Sequence, residues 1–116
     1  MGDIWKLKST EQMRTAKQEA EKEFPMIVNN AELERNASLF KGLADETRLK
    51  IIALLSRQDL CMCEIVAALD GANSTISHHL KILEKGGLIE SRREGRFTVY
   101  QVNKDTTTVI HSILTK

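Results

Sequence analysis

Residues 73–85 carry short polar side chains on one side of a helix-length stretch and aliphatic side chains on the other. Ile76, Leu80 and Leu83 recur at helical spacing and form an apolar stripe. The opposite side carries hydroxyls, an imidazole and ammonium groups: Ser74, Thr75, Ser77, His78, Lys81 and Lys85. Such groups reach base edges and phosphates without steric bulk. This stretch therefore predicts a helix that reads DNA, here called the reader helix.

The predicted DNA contacts of the reader helix come from its first three turns. We expect base-edge or phosphate contacts from Asn73, Ser74, Thr75, Ser77 and His78, and a phosphate contact from Lys81. For Asn73 and Thr75, capping of the helix start is an equally good interpretation. His79 falls on the buried flank of the same helix, so we expect a hydrogen-bonded core histidine there.

Residues 88–102 alternate between apolar and polar side chains and predict two strands folded at Glu94-Gly95. The tip of this hairpin, here called the wing, carries Arg92, Arg93 and Arg96. Arginines so placed can clamp the phosphate backbone or enter the minor groove. Solvation of the strand pair would explain any one of them, but less readily all three. We therefore predict that all three contact DNA.

The two cysteines, Cys61 and Cys63, are separated by one residue and are here called the thiol pair. Two thiols this close would close only a small strained ring, which excludes a disulfide framework. Inside a helix they would point about 200° apart. They can share an ion only if the helix begins near Cys63 and Cys61 lies in an extended lead-in. That arrangement would also place Cys63 at a helix N-terminus, where the dipole favours thiolate.

Two thiolates suit soft acceptors, which are arsenite, antimonite and cadmium, with borderline Zn(II) ranked below them. Two ligands are too few for trigonal arsenic or tetrahedral zinc. The remaining ligands would come from Glu64, water, a small thiol or the arm of a partner chain, although Glu64 fits the role of complementing the helix dipole better. Two alternatives stay open: a thiol redox or reactive-sulfur switch, and a pair of small buried apolar residues.

The composition is that of a single soluble domain, and its charge is unevenly distributed. The chain has 116 residues, 41% hydrophobic and 28% charged, with a net charge of +1. Residues 72–104 hold 6 basic and 3 acidic side chains, so positive charge gathers around the reader helix and the wing. No apolar run approaches membrane length and no leader is evident, so we expect a cytoplasmic protein without a membrane partner.

An enzyme is not expected from these residues. The sequence offers no nucleophile–base set, no phosphate loop and no complete catalytic metal site, and we expect no obligatory cofactor. A winged fold that binds another protein instead of DNA is the alternative from a different class. Absent or salt-insensitive DNA affinity would distinguish it, because phosphate contacts impose a steep salt dependence.

The chain before the thiol pair predicts helices with clear start signals. We divide the chain into an N-terminal arm and helix, residues 1–30, and a DNA-binding domain, residues 31–116. Ser9-x-x-Gln12 is a capping box for a helix to about Glu23, which Pro25 stops. Helices are also predicted after Asn29-Asn30 and after Asp45. Arg48, in the latter helix, is expected to be a surface or paired charge.

The chain after the thiol pair completes a recognisable order of elements. A short helix ends at Asp70-Gly71 and joins the reader helix through the three-residue turn 71–73, as in a helix-turn-helix. Asp105 is predicted to cap a last helix, 106–115. Its apolar stripe needs a covering surface: Val109, Ile110, Ile113 and Leu114. The order predicts an α+β, mainly helical fold, a winged helix-turn-helix with a two-stranded β-hairpin. A two-fold dimer would match twin half-sites in a palindromic operator.

Four motifs in unbroken order resemble the ArsR/SmtB family of metal-sensing repressors. They are LFKGLADETRLKI at 39–51, DLCMCEI at 59–65, STISHHLKIL at 74–83 and REGR at 93–96, followed by Tyr100. The resemblance covers residues 33–114. It implies a homodimer formed through the N- and C-terminal helices, binding of double-stranded operator DNA in the ligand-free state, and release on metal or metalloid binding.

The Cys-x-Cys pair is similar to that of the arsenic sensors within this family, with departures. Val66 stands where the arsenic-sensing pattern often adds a third cysteine, and residues 1–35 lack the Cys and His that cadmium- and lead-sensing relatives use. Zinc sensors begin their last helix with Asp-x-His, whereas residues 104–106 read Lys-Asp-Thr and the only nearby imidazole is His111. A zinc site of that type is therefore not expected.

Overall fold

The structure, a computed structural model, describes residues 4–115, apart from the side chains of Thr107, Val109 and Ile113. The helices are α1 Thr10–Glu23, a 3-10 helix Pro25–Val28, α2 Asn30–Leu43, α3 Glu46–Arg57, α4 Met62–Leu69, α5 Asn73–Lys85 and α6 Lys104–Leu114. The strands are β1 Leu60–Cys61, β2 Ile89–Glu94 and β3 Phe97–Val102. The mainly helical winged helix-turn-helix is confirmed, and α5 is the reader helix.

The chain divides into two compact units, one ending at Glu34 and one beginning at Arg35. In the first unit the predicted capping box is present. The Gln12 amide donates to Ser9 Oγ at 3.1 Å, and the Ser9 amide donates to Gln12 Oε1 at 2.8 Å. Asn29 caps α2 by accepting from the Glu32 amide at 3.1 Å. The functional division of the chain at residue 30 stays a prediction.

The core of the second unit lies between α3, α4, α5 and the base of the wing. Its fully buried side chains are Ile51, Ile52, Ile65, Ile76, Leu80, Leu83 and Leu88. The predicted apolar stripe of the reader helix thus faces the core, which leaves the polar side turned outward. Asp45 caps α3 as predicted, since its Oδ2 accepts from the Arg48 amide at 3.1 Å.

The sheet has three antiparallel strands in the order β1-β3-β2, one strand more than the sequence predicted. In the hairpin, Glu94 pairs with Phe97, so the turn is Gly95-Arg96, one residue later than predicted. Gly95 has a φ of +60°, which glycine adopts without strain. The additional strand β1 pairs Cys61 with Val99. The wing is therefore joined by main-chain pairing to the segment that carries the thiol pair.

The joint of the helix-turn-helix consists of residues 70–72. Asp70 adopts the left-handed conformation (φ 53°), which Asp tolerates better than most residues. The N-cap of the reader helix is Ala72, and no side chain caps this helix. The interpretation of Asn73 and Thr75 as helix caps is therefore wrong, and both side chains remain available for other contacts.

The last helix begins earlier than predicted and has a different cap. Its N-cap is Asn103, whose side chain accepts from the Asp105 amide at 2.9 Å, so the prediction of Asp105 as the cap is wrong. Ile110 is 3% exposed and lies in the core of its own chain, with Leu114 packed against it. At least this part of the predicted stripe needs no partner surface. Val109 and Ile113, also predicted for the stripe, lie outside the described side chains.

Across the described part of the chain, no helix combines the length and the apolar character needed to cross a bilayer.

Candidate DNA-reading face and thiol site

The predicted DNA-reading residues lie together on the outer face of the reader helix. Exposed side chains are those of Asn73, Ser74, Thr75, His78 and Lys81, while Ser77 is half-buried. The first two turns of this helix therefore offer hydroxyl, amide and imidazole groups to the solvent, with one ammonium group a turn further on. Ser77 is the least accessible of the predicted contacts, because it borders the buried stripe.

A buried arginine fixes the other side of the reader helix. Arg48 is 8% exposed, which excludes the surface interpretation made from the sequence. Its guanidinium donates to the carbonyls of Gly42 and Lys41, both at 3.0 Å, and contacts His79 Nδ1 at 3.1 Å. The His79 ring also lies 3.8 Å from Asp45 Oδ2. His79 is thus the hydrogen-bonded core histidine that was predicted, and Arg48 ties the end of α2 to the reader helix.

The three wing arginines differ in how they are held. Arg92 Nη1 donates to Asp59 Oδ2 at 2.8 Å, and this contact is the main cause of the raised pKa of the Arg92 guanidinium. Arg93 donates to the Thr98 hydroxyl at 3.1 Å, and the Arg96 guanidinium lies 5.3 Å from the centre of the Phe97 ring.

Their charges are therefore not equally available to DNA. Among the described residues, neither Arg93 nor Arg96 has an acidic group within ion-pair distance, whereas Arg92 has both Asp59 and Glu94. Because its charge is already compensated within the protein, Arg92 is the weakest phosphate candidate of the three. Asp59 was not singled out from the sequence, although an acidic residue close before the thiol pair is visible there.

The thiol pair lies at a junction between a strand and a helix. Cys61 is the last residue of β1 and the N-cap of α4, and Cys63 lies in the first turn of α4. The two Sγ atoms are 2.9 Å apart. This is the extended lead-in followed by a helix start that the shared-ion hypothesis requires. Cys61 is buried and Cys63 is exposed, so the pair can be reached from the solvent through Cys63.

Glu64 closes the start of α4, and its carboxylate is held by the main chain of Cys61. Its Oε1 accepts from the Cys61 amide at 3.0 Å, completing a capping box in which the Cys61 side chain takes the usual place of a serine. This contact is the main cause of the lowered pKa of the Glu64 carboxyl. Among residues whose placement is described, no three His, Cys, Asp or Glu side chains cluster closely enough to hold a metal ion.

The close Cys63 sulfur raises the pKa of the Cys61 thiol, because the two groups share a hydrogen bond that ionisation would disturb. Cys61 therefore keeps its proton in the free protein. A metal cation such as Cd(II) that binds both sulfurs must displace that proton into solution, so its binding is expected to strengthen as the pH rises.

An open cavity of about 350 Å³ extends from the thiol pair along the wing. Its lining residues are Cys61, Cys63, Glu64, Glu94, Phe97 and Val99. Phe97 and Val99 belong to β3, whose pairing with β1 brings them beside the sulfurs. The sequence did not predict this cavity, because the two-residue strand that creates it is too short to be recognised from a pattern.

Glu64→Gln should remove part of the acid sensitivity of folding. The lowered pKa of the Glu64 carboxyl stabilises the fold at pH values above its unfolded pKa, about 4.3. That stabilisation is lost as the pH falls through the folded pKa. Glutamine keeps the capping geometry but does not titrate. Urea unfolding measures the free energy of unfolding at pH 7 and at pH 3. Its decrease between these two pH values should be smaller for Glu64→Gln than for wild type.

The matched control is Glu19→Gln on the exposed face of α1, which makes the same charge change away from this cap. If the Glu64→Gln protein lost as much stability at low pH as the wild type and the control, the capping role of the carboxylate would be disproved.

Comparison with known proteins identifies relatives of this chain among bacterial transcriptional regulators. The family profile described as bacterial regulatory protein, arsR family, matches residues 45–91. A CadC homolog of Staphylococcus aureus, a cadmium resistance transcriptional regulatory protein, is 32% identical over 96 residues, which are 82% of this chain and 73% of the relative. The arsenical resistance operon repressor of Escherichia coli K12 is 46% identical over 66 residues, which are 56% of each chain.

Solved structures share the same architecture. The homodimeric winged helix-turn-helix DNA-binding domain of a possible ArsR-family transcriptional regulator from Mycobacterium bovis superposes with a TM-score of 0.70 at 31% identity, covering 73% of this chain and 80% of that one. HlyU from Vibrio cholerae gives a TM-score of 0.64 at 27% identity, covering 69% and 88%.

The fold and the exposed reader helix define a winged helix-turn-helix transcriptional regulator that binds DNA. Its relatives of similar length include the cadmium resistance regulator homolog of Staphylococcus aureus, 73% of which this chain covers. The chain belongs to the ArsR/SmtB family of regulators.

Proposed function

We propose that the protein is a homodimeric repressor that holds a palindromic operator and leaves it when a soft metal or metalloid binds Cys61 and Cys63. The observation that carries this proposal is the 2.9 Å separation of the two sulfurs at the start of α4. Helix α4 is the first helix of the helix-turn-helix, so a ligand at its start acts on the element that positions the reader helix.

On the DNA side, the exposed face of the reader helix lies in the major groove. Asn73, Ser74, Thr75, Ser77 and His78 contact base edges or phosphates, and Lys81 contacts a phosphate. Arg93 and Arg96 of the wing contact the flanking backbone, and Arg92 does so only after giving up its contact with Asp59. Support comes from the exposure of the helix face and from the uncompensated charges of Arg93 and Arg96.

On the effector side, thiolate sulfur selects soft ions, so As(III), Sb(III) and Cd(II) are the proposed inducers, with Zn(II) ranked below them. The names of two relatives, an arsenical resistance repressor and a cadmium resistance regulator homolog, support this choice. No resident cofactor is required. Since Glu64 is engaged by the Cys61 amide, the third ligand of an inorganic ion comes from water, a small thiol or the partner chain's arm.

The coupling between the two sites follows from their connections. A ligand bridging the thiol pair fixes the β1–α4 junction, and α4 leads to the reader helix through only three residues, 70–72. For release, the ligand must bind the DNA-free arrangement more tightly than the DNA-bound one. A coupling free energy of about 1–3 kcal/mol is typical, which changes DNA affinity about 5- to 150-fold.

The proposal is tested by fluorescence anisotropy on a labelled promoter fragment, titrated with arsenite, antimonite, Cd(II) and Zn(II). Wild type is expected to bind tightly without ligand and to be released by at least one soft ion. Cys61→Ser and Cys63→Ser should bind the same DNA and resist release. Met62→Leu is the matched control, because it changes the sulfur-bearing residue between the two cysteines and should be released like wild type.

The outcomes separate the alternatives. If the Cys61→Ser and Cys63→Ser proteins are released by the same ion as wild type, the sensing assignment is wrong and DNA binding stands. Release by an oxidant or a polysulfide, with all four ions inert, would identify the pair as a thiol redox or reactive-sulfur switch. DNA affinity that is absent or independent of salt would point to a protein-interaction module.

A further inference from the structure

We propose that the preferred ligand of the thiol pair is trivalent arsenic carrying one organic substituent, and that the substituent occupies the cavity between α4 and the wing. This inference rests on the proposed ligation of arsenic by Cys61 and Cys63. It adds the chemical class of the ligand and a second set of contacts, made by Phe97 and Val99.

The number of donors on this face favours such a ligand. Inorganic As(III) bound by thiolates needs three, and the described residues offer two sulfurs without a third His, Cys, Asp or Glu in position. The nearest carboxylate, that of Glu64, is held by the Cys61 amide. In a mono-organoarsenical one of the three bonds to arsenic is already a carbon bond. Two thiols therefore satisfy the arsenic completely.

The binding step balances without an oxidant or a reductant. An arsonous acid, R–As(OH)₂, reacts with the two thiols to form two As–S bonds. Two As–O bonds break, and each hydroxyl leaves as water with the proton of one thiol. Arsenic remains trivalent and the R–As bond is unchanged. A 2.9 Å separation of the sulfurs lets one arsenic atom reach both with a small movement of either side chain.

The cavity suits an apolar substituent of the size of a methyl or phenyl group. Its volume of about 350 Å³ is at the lower end of small-molecule sites. The Phe97 ring is 45% exposed, so part of it stays open to water beside its contact with the Arg96 guanidinium. Covering that ring with a phenyl group removes apolar surface from water and allows an offset or edge-to-face ring pair.

The remaining walls define which substituents are excluded. Glu64 and Glu94 place two carboxylates at the cavity. A substituent with its own negative charge would be repelled by both. The site is therefore selective for a neutral organic group.

A ligand of this kind touches the wing directly. Its arsenic atom binds at the start of α4, and its substituent rests on β3, which also carries the pairing to β1. The ligand thus joins the first helix of the helix-turn-helix to the hairpin that bears Arg93 and Arg96. An inorganic ion at the same sulfurs makes no such contact, so the organic ligand should be the stronger inducer.

The test compares the concentrations of phenylarsine oxide, methylarsonous acid and arsenite that release half of the bound promoter fragment. A phosphine serves as the reductant, because thiol buffers would compete for arsenic. For wild type we expect phenylarsine oxide to act at a concentration at least tenfold below that of arsenite, with methylarsonous acid between them. Mass spectrometry should show one phenylarsenic group per chain, with two protons lost, and no adduct when either cysteine is replaced.

Variants at the cavity separate its contribution from the general affinity of dithiols for organoarsenicals. The quantity to compare is the ratio of the half-release concentration of arsenite to that of phenylarsine oxide. Phe97→Ala should reduce this ratio at least threefold. Thr98→Ala, on the same strand but outside the cavity lining, should keep the wild-type ratio. Because each ratio is taken within one variant, a change in DNA affinity cancels. Phe97→Leu, which keeps an apolar side chain, should fall between wild type and Phe97→Ala.

Two results would overturn the inference. One is a wild-type ratio near one, and the other is a ratio unchanged in Phe97→Ala. Both leave the proposed function intact if arsenite still releases the DNA in a cysteine-dependent way. If neither arsenite nor either organoarsenical releases the wild type, arsenic sensing itself is disproved.

Discussion

Replacing Arg48 by methionine should lower the free energy of unfolding by about 2–4 kcal/mol, although methionine is similarly long and well accepted in helices. Three partners lose their donor at once: the carbonyls of Gly42 and Lys41 and the ring nitrogen of His79. Water has poor access, since Arg48 is only 8% exposed. The change should also loosen the reader helix, because Arg48 links His79 of that helix to the end of α2.

Urea unfolding monitored by far-UV circular dichroism measures this effect. Arg57→Met, at the exposed end of the same helix, is the matched control and should stay within about 0.5 kcal/mol of wild type. Arg48→Lys should fall between them, because one ammonium group cannot reproduce the three separate contacts of a guanidinium. An Arg48→Met protein as stable as Arg57→Met would show that the buried network contributes nothing.

Introducing a negative charge on the outer face of the reader helix should nearly abolish DNA binding. His78 is exposed near the middle of that face, and glutamate is well tolerated in helices, so His78→Glu should leave the fold intact. The carboxylate would meet phosphates and base acceptors. A loss of about 1–2 kcal/mol per reader helix, doubled in a dimer, corresponds to a decrease in affinity of about 30- to 1000-fold.

The matched control is Gln58→Glu, which adds the same charge at an exposed position at the end of α3. It should weaken binding by no more than a few-fold, and that small effect should vanish as salt is raised. Lys81→Ala is expected to reduce the slope of log affinity against log salt by about one per protomer. Wild-type affinity in His78→Glu would place the DNA-binding surface elsewhere on the protein.

The main helices could be predicted from the sequence because each has a strong local signal. The stripe Ile76, Leu80, Leu83 repeats at helical spacing, and Ser9 and Asp45 stand at helix starts in the positions that caps prefer. Such signals depend on neighbours within a turn or two along the chain. The orientation of the reader helix follows from the same stripe, since an apolar face must turn inward.

The features that escaped prediction depend on distant parts of the chain. Strand β1 has two residues and exists only because β3 pairs with it. Arg48 meets His79 across 31 positions of sequence, and nothing near Arg48 indicates burial. The start of the last helix was predicted wrongly because Asn103 and Asp105 are both favourable N-cap residues. The helix uses Asn103, the earlier of the two. The DNA contacts and the ligand of the thiol pair stay predictions.

The position of the thiol pair at the end of a strand and the start of a helix restricts how this segment can evolve. Side chains two residues apart lie on the same side of an extended chain but on different sides of a helix. The two sulfurs therefore meet only if one residue separates the cysteines and the helix begins between them. Insertion or deletion of a single residue between 60 and 64 would separate the sulfurs while sparing the remaining fold. We therefore expect descendants of this protein to vary this segment by substitution and to keep its length.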